Sequence, residues 1–222
     1  FKKIKNANWF SISLIYKMAK NYYDFPLYRA PQSFVGNISG KLPTLLLAGF
    51  FGPAMVGFYT LGTSAIKAPG NIIAKSFGNV FYPKIAKDFN RGEDIRKILL
   101  KSTTALAVAG LIPFSIIIIW GPGLFGFVFG EDWLMAGTYA RWMSIMAYFS
   151  FMGGACWKTI PVIKMQRFAL IFAMITTLLS AATLYITATL FDDDLLTIAS
   201  FCLLNSLLII FKMFWVLRKA KS

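Results

Sequence analysis

Histidine is absent from this 222-residue chain, cysteine occurs twice, and Asp and Glu together number nine. Without histidine the chain lacks the commonest general base and the commonest metal ligand. Cys156 and Cys202 both stand inside apolar runs, where neither a disulfide nor a metal site is expected. Every acidic residue falls in a joint between apolar runs or in the amino-terminal segment. The acids of "EDW" (131–133) and "FDDD" (191–194) have no nucleophile or base beside them. The expectation is no enzyme, no cofactor and no metal.

Apolar residues make up 57% of the sequence and charged residues only 14%, against about 25% charged in ordinary soluble domains. Mean hydropathy is +0.63. A membrane helix needs about 20 mostly apolar residues. Six stretches qualify: 31–50, 55–82, 102–120, 134–157, 168–190 and 195–217. The fold class expected is an all-α integral membrane protein. It divides into a cytoplasmic or interfacial linker (1–29), a six-helix lobe (30–217) and a short tail (218–222). In the linker, Trp9, Phe10, Leu14, Ile15 and Met18 alternate with lysines, as in a helix lying at a membrane surface.

The net charge of +14 would point to nucleic acid in a soluble protein. Its placement removes that reading. Basic residues crowd the joints before the first span, after the second, after the fourth and after the sixth. The intervening joints, 51–54, 121–133 and 191–194, contain no Lys or Arg. Alternation of this kind puts both termini in the cytoplasm, and no nucleic-acid partner is expected. Two of the outer joints share a pattern, "GPAMVGF" (52–58) and "GPGLFGF" (121–127), which reads as common turn chemistry.

Five cations lie inside the spans: Lys41, Lys67, Lys75, Arg141 and Lys212. A charge at the bilayer centre costs about 3 kcal/mol on insertion scales, so such residues face a protein interior or a water-filled cavity. Lys41 and Lys67 are deepest. Lys212 is close enough to the basic end to extend toward it. Residues four apart share a helix face. Ser33, Asn37, Lys41 and Thr44 therefore form one polar stripe, Ser64, Lys67, Asn71 and Lys75 a second, and Thr138, Arg141 and Ser144 a shorter third. The small polar residues alone could simply mediate helix packing. No carboxylate lies in any span to pair with the deep cations, which points to an anionic ligand. The candidate binding residues are Lys41, Lys67, Arg141, Lys75, Asn37 and Asn71.

The stretches "FPLYRAPQ" (25–32), "LPTLLLAGFFGP" (42–53), "VGFYTLG" (56–62), "GNVFYPKIA" (78–86) and "WGPGLFGFVFGEDWLMAGTYAR" (120–141) resemble the carboxy-terminal half of bacterial polysaccharide flippases. These are the O-antigen type exporters of the multidrug/oligosaccharidyl-lipid/polysaccharide superfamily. The resemblance implies two six-helix lobes around a central cavity, of which this chain is the second. It implies alternating-access movement of undecaprenyl-diphosphate-linked oligosaccharide across the bacterial inner membrane. The partners it implies are that anionic lipid-linked oligosaccharide, membrane lipid, and a missing amino-terminal lobe or a second copy. Family members usually carry a neutral polar residue where Lys41 and Lys75 stand, and often a basic residue at the position of Ser64 with a small one at Lys67, so the resemblance does not extend to those lysines. Three other readings compete. A lobe of a cation-coupled multidrug exporter would need membrane carboxylates. A truncated, non-transporting module that only pairs with another membrane protein would be supported mainly by the missing first lobe. A membrane glycosyltransferase or polymerase would need a large outer loop with catalytic acids.

Overall fold

The computed structural model describes residues 25–67, 70, 91 and 95–220. The amino-terminal surface segment, the second half of the second span with Asn71 and Lys75, and the last two residues lie outside them. A π-helical turn, Phe25–Arg29, leads into α1 (Ala30–Phe51). Helix α2 is described over 53–67. Then follow α3 (Ile95–Phe129), a 3₁₀ turn (Glu131–Trp133), α4 (Leu134–Met152), the short α5 (Gly154–Thr159), α6 (Gln166–Phe191) and α7 (Asp194–Lys219). All described elements are helical. Four segments, Leu27–Phe51, α3, α6 and α7, are long and apolar enough to cross a membrane. Together they make this a multi-pass membrane protein.

Successive long helices alternate in direction between a basic and an acidic end, and α1 and α6 pack in parallel, with Tyr28 against Arg167 and Phe50 against Tyr185. Arg29, Arg96, Arg167, Arg218 and Lys219 mark one end, and Glu131, Asp132 and Asp192 to Asp194 the other. Helix α3 shows why the bundle forms. Its buried positions Ile95, Leu99, Leu106, Gly110, Phe114, Gly121 and Phe125 recur at helical spacing, giving one face for packing. The opposite face is apolar and uncovered, with Ile112 71% and Val108 67% exposed. A face of that kind suits lipid and not water.

Each turn at the acidic end has its own local cause. Gly52 ends α1 at φ 85°, a backbone conformation that favours glycine, and Pro53 opens α2. Asp192 adopts the left-handed region after α6. Asp193 then caps α7, its side chain accepting from the Leu196 N–H at 2.8 Å. Asp194 accepts from the hydroxyl of the fully buried Tyr139. All three aspartates of "FDDD" therefore have a structural role.

The structure corrects two boundaries. The expected outer joint 121–133 is mostly helix: α3 continues through Pro122 to Phe129 and turns at Gly130, φ 100°. Close packing carries it through. A Cβ on Gly137 of α4 would sit 2.4 Å from the Gly121 oxygen and 2.6 Å from Pro122 Cα, so the two backbones touch there. The fourth span breaks at Gly153. Trp157 folds back onto that glycine, where a Cβ would meet the indole at 2.4 Å, and its Nε1 donates to the Ser150 carbonyl at 3.2 Å.

Candidate substrate cavity

A cavity of about 420 Å³ opens between α1, α2, α4, α6 and α7, with Trp157 of α5 at its basic end. Small residues make the room: Gly36, Ser39 and Gly40 on α1 and Ala147 on α4. Helix α2 contributes Tyr59, Thr63, Ile66 and Lys67, which are four or fewer residues apart and share a face. Helix α6 brings Phe172, Thr176 and Thr177, and α7 brings Phe201, Asn205 and Lys212.

Among the described residues the lining carries two ammonium groups, Lys67 and Lys212, and no Asp or Glu. From Pro53, Lys67 lies 14 residues along α2, about 21 Å at 1.5 Å per residue, well inside a hydrocarbon layer of about 30 Å. Lys212 Nζ lies 4.7 Å from the Trp157 ring centroid and 5.6 Å from that of Phe172. A desolvated cation–π contact stabilises by up to about 2 kcal/mol, which offsets much of the roughly 3 kcal/mol cost of a charge at depth.

Lys212 lies toward the basic end, where its ammonium rests on aromatic rings and lines both this cavity and a smaller one at that end. Asn205, about two turns earlier on the same face of α7, is held in place: its Nδ2 donates to Ser180 Oγ at 3.0 Å and to the Phe201 carbonyl at 2.9 Å. Sequence reasoning missed Asn205 and Thr176, and it named Lys212 among the in-span cations without placing it in the binding set. The available signal was spacing. Asn205 and Lys212 are seven apart, two turns on one face, and Phe172, Thr176 and Ser180 recur every fourth residue.

The other expected binding residues are distributed differently. Lys41 and Asn37 are exposed on α1 and stand outside the cavity lining; Pro43 and Leu47 are the buried positions of that helix. Arg141 is exposed and its Nη2 donates to the Ile119 carbonyl of α3 at 2.7 Å, bracing the close crossing. Ser144, its stripe neighbour, is fully buried and Thr138 donates to the Leu134 carbonyl. That stripe is helix packing. The cavity thus joins Lys67 to Lys212 and does not join Lys67 to Lys41 or Arg141. Asn71 and Lys75 lie beyond the described residues. Among the described residues no group of His, Cys, Asp and Glu could hold a metal.

Such an arrangement can bind an anion carrying hydrogen-bonding groups: ammonium groups for charge, hydroxyls and an amide for oxygen atoms, aromatic faces for apolar or ring surfaces. No curated protein and no solved structure matches the chain. A family described as polysaccharide biosynthesis protein matches it over residues 7–137. The match takes in α1, α2, α3 and the first residues of α4, hence Lys67 and the Gly121–Gly137 crossing. On that match, over more than half of its length, the chain belongs to the polysaccharide biosynthesis protein family.

Proposed function

We propose that the chain moves lipid-linked oligosaccharide repeat units, carried on a polyprenyl diphosphate, across the bacterial inner membrane for surface polysaccharide synthesis. The observation that carries this reading is the cavity itself: two deep ammonium groups, several neutral hydrogen-bonding groups and, among the described residues, no lining carboxylate. A diphosphate, or an acidic sugar, supplies the missing negative charge. Its sugars meet the hydroxyls of Thr63, Thr176 and Thr177, and the lipid tail stays between helices in the bilayer. The cation-coupled exporter reading lacks support here, because it needs a carboxylate where the lining has none.

In this proposal two further membrane spans complete the bundle to six: α4 with α5, and α2 extended into the residues beyond 67. The chain forms one lobe, with alternating access against an amino-terminal lobe or a second copy. Lys41 and Asn37, on the uncovered face of α1, would look toward that other half. Lys75 and Asn71 would extend the Lys67 face, and Arg141 would act chiefly by holding α3 to α4. Basic loops would face the cytoplasm.

The test is charge reversal in the cell that makes the polymer. Lys67→Glu should lower surface polysaccharide by roughly tenfold or more, since 1.4 kcal/mol of lost affinity is already a factor of ten. Lipid-linked repeat units should accumulate inside, and Lys67→Arg should retain export. Normal polymer at normal Lys67→Glu protein levels would overturn the reading. Lys41→Glu, assayed separately, reports whether the uncovered face of α1 meets the passenger.

A further inference from the structure

A second, smaller cavity of about 220 Å³ lies at the basic end, lined by Arg29, Gln32, Ser33, Trp157, Ile160, Gln166 and Lys212. It shares Trp157 and Lys212 with the large cavity, so the lysine and its indole form the wall between the two. We propose that this smaller cavity is a phosphate-binding vestibule, with Lys212 as the group that can serve either side.

The lining chooses the ligand. Among the described residues two cationic side chains, two amides and a hydroxyl converge, and none of these is Asp or Glu. Guanidinium and ammonium groups with neutral donors match the oxygens of a phosphate. The site is also held in place. Arg29 closes the π-helical turn Phe25–Arg29, a wide turn that is frequent at functional sites. Tyr28 of that turn lies under the Arg167 guanidinium, 5.4 Å from its ring centroid, which ties the turn to the first residues of α6. Gln166 Nε2 donates to the Pro161 carbonyl at 3.4 Å, which fixes its amide at the rim. Lys212 Nζ rests on two ring faces and makes no ion pair with any residue lining either cavity. A phosphate in the vestibule offers the ammonium a full negative charge in place of a ring quadrupole. That exchange would draw Lys212 off Trp157 and thin the wall between the cavities.

The ligand class rests on this lining alone. That the phosphate belongs to a passenger lipid rests on the function proposed above. The experiment uses the whole protein in detergent with Ser33→Cys as reporter; Cys156 and Cys202 are buried and form a quiet background. The rate of modification by a small water-soluble thiol reagent is measured with three probes. Pyrophosphate stands for a free phosphate, phosphatidic acid in mixed micelles for a lipid headgroup, and phosphatidylcholine with matched chloride for neither. Pyrophosphate, phosphatidic acid or both should slow labelling at least fivefold, and whichever protects identifies the source. Lys212→Gln should remove the protection, Lys212→Arg should keep it, and Arg218→Gln, at the same end but outside the lining, should keep it too. An unchanged unprotected rate shows that Lys212→Gln is folded; if that rate changes, Gln166→Ala takes its place, with loss of protection expected. No protection by either phosphate probe, or full protection in Lys212→Gln, overturns the vestibule. Protection together with normal polymer in Lys67→Glu would keep the vestibule and remove the translocation reading.

Discussion

Lys212 shows how much a single side-chain direction decides. Seven residues separate it from Lys219 at the end of α7, about 10 Å along the axis. At that depth a lysine ordinarily stretches its stem toward the interface. Here it does so and meets Trp157 and Phe172, whose ring faces receive the ammonium, and Trp157 is available only because Gly153 lets the indole fold back. Trp157→Leu should therefore free Lys212 to swing outward and cost about 1–2 kcal/mol, the size of the lost cation–π contact. Trp157→Phe should recover part of it, as judged by thermal unfolding in detergent. Depth alone marks Lys67 in the sequence and sets Lys212 among the in-span cations, but the ring contacts of Lys212 could not be read there: they depend on a tryptophan 55 residues earlier and on the helix break at Gly153 just before it. Tyr139 is a second residue of this kind. It is fully buried and donates to Asp194, so Tyr139→Phe leaves a partly buried carboxylate short of a donor, a loss of about 1–3 kcal/mol. Tyr139→Phe should lower the unfolding temperature while leaving the cavity intact.

Among the elements, the two Gly-Pro sites teach most about what letters alone can specify. The same pattern makes a turn between α1 and α2 at Gly52–Pro53 and an uninterrupted helix at Gly121–Pro122. The difference is the partner. Gly121 faces Gly137 across the α3–α4 crossing, and a methyl on Gly137 would meet backbone atoms at 2.4, 2.6 and 2.7 Å. Backbone cannot step aside as a flexible side chain can. Gly137→Ala should force α3 and α4 apart, costing more than about 2 kcal/mol, and should lower the amount of folded protein recovered from membranes. Gly123→Ala, with open space around its Cβ, is the matched control and should be well tolerated. The expected spans from 102, 134, 168 and 195 all begin within helices or near their starts, because apolar length is a strong signal. The end of α3 escaped that reading because it is set by a contact between two glycines 16 residues apart in sequence.

Taken together, the helices give a molecule with opposite charge at its two ends and a ring of apolar side chains between them. Phe127, Leu190 and Leu207 are 90%, 72% and 66% exposed on that ring, where only acyl chains would leave them unstrained by water. The end charges carry an orientation. Arg96, Lys97, Lys101, Lys158, Lys164, Arg167, Arg218 and Lys219 all belong to one end, and the opposite turns hold Glu131, Asp132 and the three aspartates. Basic loops resist passage across the inner membrane, while acidic ones pass with little penalty. Single cysteines placed at Asp132 and at Lys219, both exposed, should therefore behave oppositely in spheroplasts. A membrane-impermeant maleimide should modify Asp132→Cys in intact spheroplasts and Lys219→Cys only after lysis. The same orientation would set the vestibule beside Arg29 and Lys212 in the leaflet where phosphate carriers are loaded, and the Gly130 turn where they are released. Were Lys219→Cys to react first, the basic end would face outward, and a passenger meeting the vestibule before the large cavity would have to be travelling inward.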